Sequence, residues 1–178
     1  MLSDVRGLTV TAANSDAVAA LDATVDAYCG MRLDTGEYLK RALAADPNFL
    51  FARTLKGYFM MLFARRDFVA RAAKALAAAE AAAGAVGGTP RERSHLAALR
   101  SWVRGDWRQA LARWEAILIE HPRDLVALRL VMGVGESAFY PCAVSLLANR
   151  VEDRHRAREW RSNADCRTRG PSMDRRPR

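Results

Sequence analysis

The sequence predicts an all-α protein built from antiparallel helical hairpins. Amphipathic segments with apolar residues at helical spacing recur along the first 130 residues, and short turns separate them. The chain has only six prolines and eleven glycines, and they cluster between long helix-favouring runs, where they end helices. No run of alternating β-branched and polar residues bounded by turns is present, so strands are not expected.

Capping signals divide this region into six helices that pair as three hairpins. The first helix has a cap at Asn14 or Ser15 and stops at Gly30, and Asp34 with Glu37 has the capping-box spacing that starts the second. The predicted segments are a lead-in, residues 1–14, and hairpins at about 15–47, 48–88 and 89–122.

The second hairpin combines an aromatic helix with an alanine-rich one. The aromatic and methionine-rich segment Tyr58–Phe63 is more typical of a core than of a ligand groove, although a groove remains an alternative. After the polar turn at 65–67, the next helix runs into an alanine-rich stretch. Its expected end is marked by Gly84, Gly87 and Gly88.

The third hairpin carries the clearest signals. The Thr-Pro-x-Glu sequence from Thr89 to Glu92 supplies a capping hydroxyl, a proline at the first helical position and a carboxylate that returns to the cap. Gly105 breaks this helix, Asp106 caps the next one and Pro122 ends it. The apolar stripe of the last helix is Trp107, Ala110, Leu111, Trp114, Ile117 and Leu118.

The spacing of the helix-ending prolines favours a short tetratricopeptide-like superhelix. Pro47 and Pro122 are separated by roughly two 34-residue units plus seven residues, which the alanine-rich helix and its glycine loop can hold. The third hairpin matches the repeat best, the first matches at fewer positions and the second is degenerate. The structural repeat positions are Gly105, Ala110, Trp114, Ile117 and Pro122.

Several short motifs occur in a characteristic order along residues 4–130. They are Asp4-x-x-Gly7, the Ala-Leu-x-x-Asp-Pro run ending at Pro47, Arg91-Glu-Arg-Ser-His95, Gly105-Asp106, Trp114-Glu115-x-Ile-Leu118, His121-Pro-Arg-Asp124 and Ala127-Leu-Arg129. In these motifs the chain resembles the N-terminal part of the tetratricopeptide repeat protein 38 family. The resemblance implies a longer helical-repeat protein, and it implies a fold but almost no mechanism.

The pattern fails beyond residue 130. Gly133 and Gly135 are expected to break the helix that Asp124 starts, so residues 131–178 are predicted to be an irregular or disordered, arginine-rich tail. Its composition leads to the hypothesis that it is out-of-frame or otherwise aberrant sequence. Without a capping helix, the C-terminal face of the third hairpin would expose apolar surface and favour self-association.

The net charge of +8 is concentrated at the C terminus. Residues 149–178 contain ten arginines against five acidic residues. Such a segment could bind nucleic acid through phosphate contacts, but acidic residues interrupt it and only Trp160 offers a stacking ring. A solvated tail is therefore favoured, and a nucleic-acid-binding adaptor is the weaker alternative.

No motif predicts catalysis. His95 and His121 lack an accompanying nucleophile motif, and neither an HExxH sequence nor a glycine-rich phosphate loop is present. Asp106, Asp124 and Glu92 lie at helix starts, where carboxylates cap free amides. No catalytic, cofactor-binding or metal-binding residue is therefore predicted, and no cofactor is expected.

Cysteine usage and hydropathy indicate the cytoplasm. Cys29, Cys142 and Cys166 are far apart and have neither zinc-site spacing nor an even disulfide framework. The N terminus lacks a signal-peptide core, and no apolar stretch reaches membrane-spanning length, so no membrane association is expected.

The leading hypothesis is a non-enzymatic helical-repeat scaffold that binds a protein or peptide partner and is truncated relative to its family. If the hairpins stack, their first helices line a concave groove. Repeat mapping places Tyr58, Glu92 and His95 towards that groove. The alternative is the N-terminal fragment of a helical-repeat enzyme whose active site lies outside this chain.

Overall fold

The computed structural model describes residues 1–136, and three consecutive helical hairpins account for most of them. The predicted all-α class is confirmed. The helices are α1 (Ser15–Cys29), α2 (Thr35–Ala45), α3 (Leu50–Leu62), α4 (Arg66–Val86), α5 (Pro90–Val103) and α6 (Trp107–Glu120). A further helix, α7, begins at residue 125 and continues to residue 136.

The hairpins share one hydrophobic core. Consecutive helices pair as α1 with α2, α3 with α4 and α5 with α6; between hairpins, α2 contacts α3, and α5 contacts both α3 and α4. One cluster of buried apolar side chains reaches from Leu21 in α1 through Leu55 and Leu99 to Leu130 in α7. Residues Met1–Val134 form one compact unit.

Side-chain caps explain where three of the first six helices begin. Asn14 accepts a hydrogen bond at 2.8 Å from an amide in the first turn of α1. Thr89 Oγ1 accepts from the Glu92 amide at 3.1 Å, while Glu92 Oε2 accepts from the Thr89 amide at 2.8 Å, which completes the predicted capping box. Asp106 Oδ1 accepts from the Gln109 amide at 3.0 Å. These predictions are confirmed.

The capping box predicted for α2 does not form. The Asp34 side chain makes no cap hydrogen bond; instead its carboxylate accepts from Arg32 Nη2 at 2.6 Å and Nε at 3.0 Å. Glu37 pairs with Lys40 at 2.8 Å. The guanidinium two residues earlier therefore competes successfully with the helix amides for Asp34.

The lead-in contains a small β-hairpin, contrary to the prediction that strands are absent. Leu2–Ser3 pairs antiparallel with Thr9–Val10, and the Asp4 carboxylate accepts hydrogen bonds from two turn amides at 2.9 and 2.8 Å. Gly7 adopts φ of +77° in the turn, and Val10 is fully buried. Strands of two residues are too short for sequence alternation to reveal them.

The helix α7 corrects two predictions about the chain after residue 130. It passes through Gly133 and Gly135, because a glycine costs a helix only about 1 kcal/mol, whereas burying a Val or Leu side chain contributes about 1.5–3 kcal/mol. Val131 and Val134, on either side of Gly133, pack against the shared core in which Val126 and Leu130 are buried. Residues 131–136 are thus helical rather than irregular, and a helix does follow the third hairpin. The predictions for residues 137–178 lie outside the described residues.

Two smaller expectations also differ. Gly84 lies inside α4, which ends at Val86 and has Gly87 as its C-cap with φ of +80°. Trp107, predicted to lie in the apolar stripe of α6, is 49% exposed. At the positions assigned to the repeat, Gly105 forms the turn between α5 and α6 with φ of +85°; Ala110, Trp114 and Ile117 are buried; and Pro122 follows the end of α6.

Candidate functional site

The three residues predicted to line a concave groove are buried in the interior. Tyr58 is 1% exposed, and Glu92 and His95 are 0% exposed. Tyr58 lies in α3 and the other two in α5, and their polar atoms are occupied by other buried groups. The prediction that they line a solvent-facing peptide groove is therefore wrong.

His95 is the centre of a buried polar cluster. Its Nε2 lies 2.9 Å from Asp124 Oδ2, which also accepts from Arg91 Nη1 at 2.6 Å. The Tyr58 hydroxyl donates to the His95 carbonyl at 2.7 Å, lies 3.3 Å from His95 Nδ1 and accepts from Trp114 Nε1 at 2.9 Å. The cluster thereby joins α3, α5, α6 and the residue before α7.

The electrostatics of this cluster follow from its burial and its charges. Burial acts to raise the pKa of Asp124, but the charge and hydrogen bond of His95 and the charge of Arg91 outweigh it and hold that pKa well below its usual range. Burial raises the pKa of Tyr58 far above its usual value. Asp124 is thus an anion that balances buried positive charge, and Tyr58 is a neutral phenol.

A second buried network fastens the lead-in to α5. Glu92 Oε1 accepts from the Thr11 amide at 3.0 Å, and Glu92 Oε2 accepts from the Thr11 hydroxyl at 2.6 Å. Since Glu92 Oε2 also completes the cap with Thr89, both carboxylate oxygens are occupied. Glu92 therefore holds two segments together.

A histidine paired with a carboxylate can act as a general acid or base when a substrate reaches it. Here the exposed fractions of Arg91, His95 and Asp124 lie between 0% and 4%, and none of the three lines the cavity described below. The cluster therefore supports the packing of helices. The two motifs that contain these residues, 91–95 and 121–124, are evident in the sequence, but no local pattern predicts that they meet.

The structure places an open apolar groove elsewhere, between the first hairpin and the C-terminal half of α3. Its volume is about 680 Å³. The lining comes from the end of α1, the α1–α2 loop, α2, α3 and one residue of α7. We call this feature the apolar groove; Tyr28, Leu39, Leu43 and Phe59 lie at its base, where they are buried or half-buried.

Aromatic packing supports the base of the apolar groove. The rings of Tyr28 and Phe59 pack at 5.1 Å between centroids, tilted by 49°. Burial raises the pKa of Tyr28 to about 12, although the charge of Arg129 acts to lower it. The Tyr28 side chain is accordingly a neutral ring that contributes apolar surface at neutral pH.

Large apolar side chains along the groove are exposed to solvent. Leu33 is fully exposed, and Met31, Phe63 and Leu62 are 78%, 57% and 45% exposed. The segment Tyr58–Phe63 is thus divided between two faces of α3: Tyr58 belongs to the core, as predicted, whereas Phe59, Met60, Leu62 and Phe63 line the groove.

Four cations accompany this apolar surface, and the described lining contains no carboxylate. Arg32 pairs with Asp34 and Lys40 pairs with Glu37. Lys56 and Arg129 have no ion-pair partner within residues 1–136. The groove therefore combines an apolar base with uncompensated positive charge.

Comparison of the chain with protein-family models, curated proteins and solved structures finds no match. Among the described residues, no helix has the length and apolar character needed to cross a bilayer. Within the same residues, no group of three or more His, Cys, Asp or Glu side chains is arranged to hold a metal ion.

Proposed function

We propose that this chain is a helical-repeat interaction module without catalytic activity of its own, and that a protein partner binds the apolar groove. The observation that carries the proposal is the exposure of Met31, Leu33, Leu62 and Phe63 around a cavity of about 680 Å³. Ligand sites commonly have this volume and a largely apolar lining. Exposed apolar side chains gathered in one place typically mark interaction surfaces.

The order and pairing of the helices support the scaffold part of the proposal. Three hairpins follow one another and pack through adjacent helices, as expected for a short tetratricopeptide-like superhelix. The resemblance to the tetratricopeptide repeat protein 38 family agrees with this assignment. We also propose a cytoplasmic location, to which the unpaired thiol of Cys29 is suited.

The alternatives receive less support. A catalytic role for His95 is disfavoured because its side chain is fully buried. Self-association was expected from an uncovered third hairpin, but α7 follows that hairpin and buries Val126 and Leu130. The basic segment proposed for nucleic-acid binding, residues 149–178, lies outside the described residues.

The proposal is tested by photo-crosslinking from two exposed positions. A photoreactive residue is placed at Leu33, in the groove, or at Ile119, which is 84% exposed and lies outside it. We expect a polypeptide from an extract of the source cells to crosslink at position 33 only.

A binding measurement follows once mass spectrometry has identified the partner. The purified partner should bind the Leu33→Ser variant about tenfold more weakly than the wild type, and it should bind the Ile119→Ser variant as tightly as the wild type. Equal crosslinking at both positions, or unchanged binding by Leu33→Ser, would contradict the proposal.

A further inference from the structure

We infer that the segment bound in the apolar groove is an acidic amphipathic helix of a partner protein, an inference that rests on the proposed function. Two features of the groove lead to it: the periodicity of its lining on α2 and α3, and the sign of the charge around it. Helix-in-groove recognition uses apolar anchors at i, i+3, i+4 and i+7 of the bound helix.

The lining residues form one continuous stripe on each of two neighbouring helices. On α2, lining positions 36, 39, 40 and 43 follow the i, i+3, i+4, i+7 pattern, with Thr35 beside them. On α3 and its C-cap residue Phe63, positions 56, 59, 60 and 63 repeat the same pattern, with Leu62 beside them. Such stripes run about 10 Å along a helix, close to two turns. A third helix can pack its own ridge of side chains between them.

The groove surface also suits an adaptable helix contact. Met31 and Met60 supply flexible thioether side chains, which fit irregular apolar partners. Gly36 leaves open space above the start of α2, because a Cβ atom there would meet no atom within 4 Å.

The cations around the apolar groove indicate that the bound segment carries negative charge. Arg32, Lys40, Lys56 and Arg129 come from the α1–α2 loop, α2, α3 and α7 respectively, so the cations are contributed by four different elements. Glutamate or aspartate on the flanks of a bound helix would pair with Lys56 and Arg129, which have no carboxylate partner within residues 1–136. The C-terminal segment 149–178 has the wrong sign to serve as the occupant, with ten arginines against five acidic residues.

The backbone conformation of Met31, which lines the apolar groove, is a further observation in favour of this surface. Met31 has φ of +53° at the end of α1, immediately after the cap residue Gly30. Glycine is the usual residue in this conformation, because a side chain with a Cβ atom is strained there. An exposed methionine at this position reduces stability and enlarges the apolar groove.

The inference is tested with full-length protein and a labelled synthetic helix of about 18 residues. The probe carries leucine at i, i+3, i+4 and i+7 and glutamate on both flanks; its matched control carries lysine in place of glutamate. By fluorescence anisotropy we expect the acidic helix to bind at least about tenfold more tightly than the basic one, and to lose affinity between about 50 and about 500 mM NaCl.

Matched variants locate the binding. Lys56→Glu and Arg129→Glu should each weaken binding of the acidic helix about three- to tenfold, whereas Lys74→Glu, an exposed charge reversal on α4 outside the groove, should leave it unchanged. Met31→Gly should weaken binding while raising the urea midpoint of unfolding, so its effect cannot be attributed to loss of the fold.

Three outcomes would overturn the inference. The first is equal or tighter binding of the basic helix, and the second is unchanged binding by Lys56→Glu and Arg129→Glu. The third is a wild-type dimer in sedimentation that Leu33→Ser converts to monomer, which would make a second copy the occupant. If neither synthetic helix binds but a partner still crosslinks through position 33, the interaction module stands and the acidic-helix class is rejected.

Discussion

Asp124 uses its two carboxylate oxygens for two different elements. Oδ1 accepts from the amide of residue 127 at 3.0 Å and caps α7, while Oδ2 takes hydrogen bonds from Arg91 and His95 of α5. The Arg91 guanidinium also lies 4.6 Å from the centroid of the Phe51 ring. The Asp124 carboxylate therefore balances buried positive charge and also caps α7.

Replacing Asp124 with asparagine separates these two roles. The amide oxygen of the introduced asparagine retains a capping acceptor, because Asn and Asp cap almost equally well, but Arg91 loses its buried counter-charge. We expect Asp124→Asn to lower the free energy of unfolding by about 3–5 kcal/mol, measured by urea denaturation followed by circular dichroism. The control, Asp106→Asn at the exposed cap of α6, should change it by less than about 0.5 kcal/mol. An equally small loss in Asp124→Asn would show that the buried counter-charge to Arg91 contributes little to stability.

The same carboxylate predicts an acid dependence of stability. Because the pKa of Asp124 is lowered in the folded state, its contribution is present above the unfolded pKa of about 3.9 and is lost as the pH falls through the folded pKa. The urea midpoint of the wild type should therefore fall more steeply than that of Asp124→Asn when the pH is lowered from about 5 to about 2. Parallel profiles for the two proteins would contradict the assignment.

At the scale of the elements, a glycine determines how closely α3 and α5 pack. Gly57 is buried in the middle of α3, and a Cβ atom there would lie 2.4 Å from Leu99 Cδ2. Gly84 in α4 is exposed and has no such neighbour within 4 Å. The two glycines occupy the same kind of local structure in different packing environments.

The substitution of alanine should act in opposite directions at these two glycines. Gly57→Ala should lower the free energy of unfolding by about 1–3 kcal/mol, because the overlap with Leu99 outweighs the gain in helix propensity. Gly84→Ala should raise it by about 0.5–1 kcal/mol through helix propensity alone. Urea denaturation of both variants measures the difference. Stabilisation by Gly57→Ala would mean that Leu99 can move aside without cost.

At the scale of the whole molecule, the lead-in links hairpins that are distant in sequence. Thr11 bonds to Glu92, 81 residues away, and the Ala13 amide donates to Asp46 at 2.8 Å. In a simple array each repeat contacts only its neighbours, so unfolding can begin anywhere. These contacts instead couple the start of the chain to the first and third hairpins, and we expect the hairpins to unfold together.

The coupling is tested at Thr11. Thr11→Val removes the hydroxyl donor to Glu92 while retaining the shape of the side chain, and the loss should be about 1–3 kcal/mol, as for hydrogen bonds to charged groups. Hydrogen–deuterium exchange should accelerate both in residues 2–13 and at the start of α5. Thr35→Val, which removes an exposed local bond to the Arg32 carbonyl, is the control and should affect neither region. Acceleration confined to the lead-in would argue against coupling between the two segments.

The positions of the helices could be predicted because their signals are local. Asn14, Thr89, Asp106 and Gly105 specify helix ends through their own backbone and neighbouring amides, and apolar periodicity identifies the buried face. Predictions were wrong where a nearby group competed for the same atom, as Arg32 does for the Asp34 carboxylate. They were also wrong where core burial outweighed glycine, as in α7.

The candidate site could not be predicted in the same way. Periodicity identified Tyr58–Phe63 as apolar, but which of its side chains lie in the core and which line the groove depends on how α3 packs against α2 and α5. Repeat mapping assumed that Glu92 and His95 face solvent. In the structure, Thr11 and Asp124 are distant along the chain but hydrogen-bond to Glu92 and His95 respectively, and both of these side chains lie in the interior.

The sequence by itself determined the helical class, most helix boundaries and the excess of positive charge, because propensity, capping and composition act over a few residues. Only the tertiary structure decided that His95 is paired with Asp124 inside the protein and that the exposed apolar groove lies between α2 and α3. Such pairings depend on the distance between segments far apart in the chain, and burial changes the free energy of a charge or an apolar side chain only once those segments meet.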